Sequence, residues 1–431
     1  MTNPQQRPSL LQRLRGVTLF SQLGPGLITG AADDDPSGIA TYSQAGAQAG
    51  FGLLWTMVLT FPLMAAIQLV SAHIGRVTGR GLAYNMVKVL PRGLVTALVV
   101  LLFVANTINL GADLAAMGEA AALLAGGWGH LFTVLFAVVS VVLQMFAPYR
   151  RYSRILIVLT FSLFAYVAVV FLVKLDWAQI GLALIGVGVT LSPAAATIIV
   201  AIFGTTISPY LFFWQAAQEV EEVEQENDDK PLMEAPDQAP KAFSRMRVDT
   251  FAGMAASNLV ALAIMIATAA TLHATGKTDI QTAADAARAL APAAGKFAFA
   301  LFSLGIIGTG LLAIPVLAGS SAYAVSELRG WREGLDNKPW EATGFYGVIS
   351  AGVALGVLMD WIGLDPIKAL FWSAVVNGVI AVPMMFAMMH VVSSRKLMGD
   401  FTAGPVLKAL GWASTAVMLA AALAMGATSF F

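Results

Sequence analysis

The stretch Ile28-Thr29-Gly30-Ala31-Ala32-Asp33-Asp34-Asp35-Pro36-Ser37-Gly38-Ile39-Ala40-Thr41 decides how this 431-residue chain is read. It lies inside the first long apolar segment and puts three adjacent carboxylates where a membrane span would be continuous hydrocarbon. An ionised side chain at the bilayer centre costs about 2.5–3.5 kcal/mol on insertion scales, and acids that persist there mark ion or proton paths. Pro36 removes a helical hydrogen bond within the same few residues and frees backbone carbonyls. A carboxylate beside unwound carbonyls inside a span is a device for holding a cation.

The composition around this stretch belongs to a bilayer. Hydrophobic residues make up 58% of the chain and charged residues 12%, against about 25% charged in soluble domains. Apolar runs long enough to cross a hydrocarbon core of about 30 Å recur along the whole length. We read eleven spans, near 20–44, 52–75, 93–124, 128–147, 153–175, 194–217, 248–273, 297–325, 342–361, 366–392 and 405–430. The short, glycine-rich 177–192 segment is placed in the connection after the fifth span. With the N-terminus inside, all but five of the 25 basic residues fall on the cytoplasmic side. The five are Lys174, Lys277, Arg288, Lys296 and Lys368. A missed span would invert the later loops and destroy that bias, so the positive-inside rule supports a cytoplasmic N-terminus and an extracytoplasmic C-terminus. The polar, basic Met1–Gly16 segment has no small-residue cleavage site after it, so the first span is expected to be retained. Zero net charge gives no electrostatic case for nucleic acid, and the absence of cysteine excludes disulfides and thiolate metal sites.

A second interruption falls in the sixth span, at Gly204-Thr205-Thr206-Ile207-Ser208-Pro209-Tyr210. Alone it reads equally well as a proline kink with hydroxyl back-bonding. Paired with the acidic break in the first span, it points to two repeats with a binding site at mid-membrane.

Several motifs then resemble one family. Gly24-Pro25-Gly26, Asp35-Pro36, Gln44-Ala45-Gly46 and Leu53-Leu54-Trp55 resemble the first-span signature of the Nramp divalent-metal transporters. Gln68, Gly75 and Thr78-Gly79-Arg80-Gly81-Leu82-Ala83 are similar to its second span and following loop, and Asp113-Leu114-Ala115 to its third. The resemblance implies an all-α polytopic fold of the LeuT-type 5+5 inverted-repeat class with broken first and sixth helices. It also implies divalent-cation transport by alternating access, so a carrier rather than an enzyme, with no resident cofactor. The repeats are expected over 20–175 and 194–392, after a cytoplasmic segment 1–19. They are joined by an extracellular connection 176–193, with an acidic cytoplasmic loop at 218–242 and the eleventh span in 405–431.

The departures from the family pattern carry more information than the matches. Gly38 stands where the family has a ligating asparagine, Ser208 where it has methionine, Tyr210 where it has histidine, and Ala116 where it has a second third-span acid. Thioether and imidazole favour softer transition metals, whereas carboxylate, carbonyl, hydroxyl and water suit magnesium, calcium and manganese. The expected ligand set is Asp35, Ser208 and Thr205, with carbonyls near Gly38 and Thr205. Magnesium keeps several waters around one or two carboxylates, and the smaller side chains leave room for them. The pattern resembles the Nramp-related magnesium transporter branch. The chain therefore reads as an importer of Mg²⁺, and also Mn²⁺, in the inner membrane, with weak or no proton coupling. Rival readings are a proton-coupled Mn²⁺/Fe²⁺ importer, a metal-responsive receptor and an organic-solute carrier of the same fold.

Other polar residues stay open between two roles. Asp33 and Asp34 are either an electronegative vestibule or groups that pair with a basic residue or stay protonated. Asp113 is either a proton relay or a packing partner of Asn106 or Asn109. Asn377, in the tenth span, either lines the ion path or bonds a neighbouring helix. The four histidines are expected to be satisfied structural groups. The acidic run from Glu219 to Asp229 is expected to be a solvated helix end rather than a metal sensor.

Overall fold

The computed structural model describes residues 25–148, 156, 158–187, 192–225, 228–363 and 365–430, and in it the acidic stretch splits the first span into α1 (Pro25–Asp33) and α2 (Pro36–Ala49). Asp35 is the hinge between them. Its extended backbone ends one helix, and its carboxylate accepts the Gly38 N–H to cap the next. Pro36 follows at the first helical position, where a missing N–H costs nothing.

The chain then continues through α3 (Trp55–Thr78), α4 (Leu82–Val89), α5 (Arg92–Ala125) and α6 (Gly129–Phe146). The short apolar α7 (Phe164–Leu172) leads to α8 (Trp177–Leu184), which Asp176 caps. The second break separates α9 (Pro193–Thr206) from α10 (Pro209–Gln225), and again the second half opens on proline. Four long helices complete the fold: α11 (Ala239–Thr271), α12 (Ala298–Arg329), α13 (Thr343–Asp360) and α14 (Pro366–Ser393). A final helix, α15, covers Pro405–Phe430. Among the described residues there are no strands, and 9 helical segments are long and apolar enough to cross a membrane. Val158–Leu172 is a shorter apolar helix, and α1 and α2 are each too short alone. Gly24 and the basic residues Arg7, Arg13, Arg15, Arg150, Arg151 and Arg154, which enter the topology argument, lie outside the described residues.

Close helix approach fixes where the breaks sit. The first half-helix lies against α11 so tightly that a Cβ on Gly30 would fall 2.3 Å from the Gly253 carbonyl carbon. Similarly, α9 packs on α14 through Gly204 and Gly378, and a Cβ on Gly204 would fall 1.9 Å from the Ala374 carbonyl oxygen. Small residues at such crossings let backbones meet where lipid supplies no hydrophobic drive. Gly204→Val is expected to force α9 off α14 and lower stability by about 1–3 kcal/mol, as overpacking does. Thermal melts check this, and an unchanged Tm would show that the crossing tolerates the added bulk.

The acidic run differs from expectation only in part, since Glu224 and Asp228 are exposed. Glu219 is fully buried and pairs with Arg245 at 2.6 Å, while Glu222 pairs with the same guanidinium at 2.5 Å. Glu221 accepts from the Tyr323 hydroxyl and, at 2.8 Å, from the Leu335 N–H. Asp229 pairs with Arg76 at 2.7 Å. The start of α11 and the loop after α12 fold over the end of α10, so these acids knit elements together rather than facing solvent. Glu226 lies outside the described residues.

Glu333, in that loop, adds a pH dependence. Burial, with Glu327, Glu224 and Glu221 nearby and only Arg80 opposing, pushes its carboxyl from the ordinary 4.5 up to about 9. The folded chain then holds a proton that the unfolded chain has released. This contribution is fully present below about pH 4.5 and is lost as pH rises to about 9. Glu333→Gln is expected to flatten the fall of Tm with pH and raise Tm by about 2–4 °C in mild alkali. An unchanged slope in thermal melts would place the proton elsewhere.

Candidate functional site

The two helix breaks meet in the buried centre of the bundle. An ideal Cβ on Gly38 would lie 3.1 Å from Thr205 Oγ1, 3.4 Å from the Asp33 carbonyl oxygen and 3.3 Å from the Tyr42 ring. The space left by the missing side chain is thus faced by one hydroxyl and one carbonyl at the end of α1, where helical partners have run out. Among the described residues, the Thr205 and Tyr42 hydroxyls have no hydrogen-bond partner.

Asp35 sits across this junction and is fully buried. One carboxylate oxygen accepts from the Ser37 hydroxyl and the Gly38 N–H, both at 2.7 Å. The other accepts from Asn109 Nδ2 at 3.1 Å and from the Tyr210 hydroxyl at 3.0 Å. The carboxylate therefore ties α2 to α5 and to the opening of α10, so it senses both broken helices at once. No ion pair reaches Asp33, Asp34 or Asp35 among the described residues. Among the described residues, charge on these groups has no counter-ion within 4 Å.

The other expected site residues fall out unevenly. The Ser208 hydroxyl lies 2.7 Å from both the Gly204 and Thr205 carbonyls, between which its single proton is shared. Tyr210, at the position where the resemblance implies histidine, donates its hydroxyl to Asp35 directly. Asp33 and Asp34 are buried rather than set in an open vestibule, and both face the Ser257 hydroxyl of α11, at 2.6 and 3.1 Å. One hydroxyl proton cannot serve two carboxylates at once, and the second Asp33 oxygen has no partner among the described residues.

Asp113 lies one turn along α5 from Asn109, which donates to it at 3.3 Å. Its other oxygen is buried without a partner among the described residues. Asn106 turns away to the Leu317 carbonyl, Ser320 and Ser321 of α12. Asn377 is buried with both amide atoms unpartnered among the described residues. The four histidines each have a protein partner: His73 the Phe401 carbonyl, His130 Asp360, His273 the Ala47 carbonyl and His390 the Phe386 carbonyl.

Sequence reasoning underrated Asn109 and missed Ser373 and Ser257. Asn109 donates to Asp35 and accepts from Ser373 of α14 at 2.6 Å, which bridges three helices. Its signal was available, because a residue four before Asp113 shares its helix face. Ser373 and Ser257 lie mid-helix in long, mostly apolar helices and carry no such signal. Among the described residues, no group of three or more His, Cys, Asp or Glu side chains could hold a metal ion. Any ion here would rest on one or two carboxylates and neutral oxygens.

Comparison with known proteins agrees with this architecture. The divalent metal cation transporter MntH of Pectobacterium carotovorum is 27% identical over 405 residues, covering 91% of this chain and 90% of its own. The MntH of Deinococcus radiodurans is 26% identical over 420 residues, covering 94% and 89%. Among solved structures, the Eremococcus coleocola manganese transporter superposes with a TM-score of 0.76 at 15% identity, over 98% of this chain and 89% of that one. The nucleobase-cation-symport-1 transporter Mhp1 superposes with a TM-score of 0.56 at 16% identity, over 94% and 93%. The sequence pattern described as natural resistance-associated macrophage protein-like matches residues 26–428, and the chain belongs to that family, Nramp.

Proposed function

We propose that the chain is a divalent-cation importer whose leading substrate is magnesium, with manganese also carried, as a partly hydrated ion. The carrying observation is Asp35: a buried carboxylate that no ion pair reaches among the described residues, placed where two broken helices meet and held by hydroxyl, amide and backbone N–H donors. In this reading Asp35 supplies the charge. Thr205 and Ser208 supply hydroxyl contacts, direct or through water, and the backbones at Asp33–Gly38 and Thr205 supply carbonyls. The ion displaces donors that Asp35 otherwise accepts, so binding and the relation of α2 to α10 change together. Membrane potential drives a divalent ion inward at about 2.3 kcal/mol per charge per 100 mV.

The eleven-span, 5+5 arrangement belongs to the same reading. Joining α1 to α2 adds one crossing, and Val158–Leu172 adds another, to the 9 longer segments. The two breaks then occupy the first and sixth spans, over repeats 20–175 and 194–392. The N-terminus is cytoplasmic, the C-terminus is extracytoplasmic and the chain resides in the inner membrane.

One observation favours a proton-coupled alternative: Asp113 keeps an open carboxylate oxygen one helical turn from Asn109, which holds Asp35. Its histidine counterpart is absent, with Tyr210 in that place. Recording internal pH during manganese uptake into proteoliposomes separates the two readings. The proposal expects metal entry without stoichiometric acidification, and acidification that tracks uptake would assign the alternative.

A further inference from the structure

Away from the helix breaks, α3, α11 and the start of α15 enclose a groove of about 560 Å³, at the end of the bundle that carries the Arg76–Asp229 pair. Leu69, Met246, Phe251, Leu407 and Leu410 make apolar walls. Val248 and Val406 beside it are 69% and 71% exposed, as suits side chains against lipid. The groove also has a polar end, at His73, Arg247 and Asp400.

These three polar residues are not equivalent. His73 is committed internally: Nε2 meets the Phe401 carbonyl at 2.5 Å, and the ring stacks on Phe243 at 4.7 Å. Arg247 is exposed. Its Nε donates to the Phe243 carbonyl at 3.2 Å, and among the described residues it makes no ion pair. Arg245, two residues earlier, is taken up by Glu219 and Glu222. The guanidinium of Arg247 therefore keeps its terminal N–H groups for an outside acceptor. Asp400 lines the same groove without pairing with Arg247 among the described residues, and Arg395, Lys396 and Lys408 lie nearby in sequence, outside the lining.

We propose that this groove holds an anionic phospholipid, with its phosphate on Arg247 and an acyl chain along Leu69, Met246 and Leu407. The inference rests on the orientation proposed above, which puts this end at the cytoplasmic leaflet. Basic pockets between spans on that side take anionic headgroups. A guanidinium with open N–H groups matches phosphate geometry, and the apolar walls match a lipid tail. The groove also backs the anchor of α1, because Asp249 accepts the Gly26 N–H at 2.6 Å two residues from Arg247.

Native mass spectrometry of the full chain in mild detergent tests this with phosphatidylglycerol and phosphatidylcholine of the same acyl chains. Wild type is expected to retain phosphatidylglycerol about fivefold over phosphatidylcholine. Arg247→Ala brings the two to parity, and Asp400→Asn widens the preference. Ala66→Trp, which fills the groove, removes both lipids. Equal retention of the two lipids by wild type overturns the proposal, as does a preference that survives Arg247→Ala. The readout counts lipid adducts, so it stands whether or not the chain carries magnesium.

Discussion

Asp35→Ala abolishes metal uptake, by about 100-fold or more, while the protein still folds. A dication about 4 Å from a carboxylate gains about 8 kcal/mol at an effective dielectric of 20, twice the value for unit charges. Even after dehydration offsets most of that, no neutral oxygen in the site replaces it. The folding cost is smaller. The variant loses the cap of α2, worth about 1 kcal/mol, and strands the Asn109 and Tyr210 donors. It also removes a buried carboxyl that no basic residue balances. Asp35→Asn keeps an oxygen for the Ser37 and Gly38 donors and separates the two effects. Uptake is expected to be lost in both variants, with a smaller fall of Tm in Asp35→Asn, whose amide nitrogen still faces the Asn109 donor. Retained uptake in the asparagine variant would remove Asp35 from the ion's path.

On the proposed reading, the double substitution Gly38→Asn with Ser208→Met is expected to shift uptake from magnesium toward manganese. A side chain at position 38 points at Thr205 Oγ1 and the Asp33 carbonyl, so it takes the space read as water-filled and offers an amide oxygen. Its Cβ contacts of 3.1–3.4 Å need only a small outward shift of their neighbours. A thioether in place of Ser208 is a soft ligand that magnesium does not use and manganese tolerates. Magnesium gives up its water reluctantly, so its uptake is expected to fall at least about tenfold, equivalent to about 1.4 kcal/mol. Manganese uptake is expected to persist. Competition uptake with both ions in the same vesicles measures the ratio, and an unchanged ratio would show that neither position sets selectivity.

How much of this was legible in the sequence depends on the kind of signal each residue leaves. Proline and acid inside apolar runs are loud, so the hinge at Asp35 and the break before Pro209 sit where the reading placed them. The meeting of Gly38 with Thr205 also follows, once two broken helices are taken as a pair. Contacts made by ordinary residues were silent. Ser257 under Asp33 and Asp34, and Ser373 on Asn109, come from α11 and α14, and only the packing of those helices selects them. Charge patterning misled at Glu219, because a run of acids looks solvated until α11 brings Arg245 alongside. Tyr210 was noticed as a missing histidine, and its direct bond to Asp35 needed the geometry of the α9–α10 break.

The measurement closest to the central claim is magnesium influx into proteoliposomes under an inside-negative potential with no pH gradient, for wild type and Asp35→Asn. The account predicts saturable magnesium entry in wild type, suppressed by added manganese, and none above empty vesicles in the variant. Manganese entry without magnesium entry in wild type would contradict the reading of Gly38 and Ser208 as a site for a hydrated hard cation.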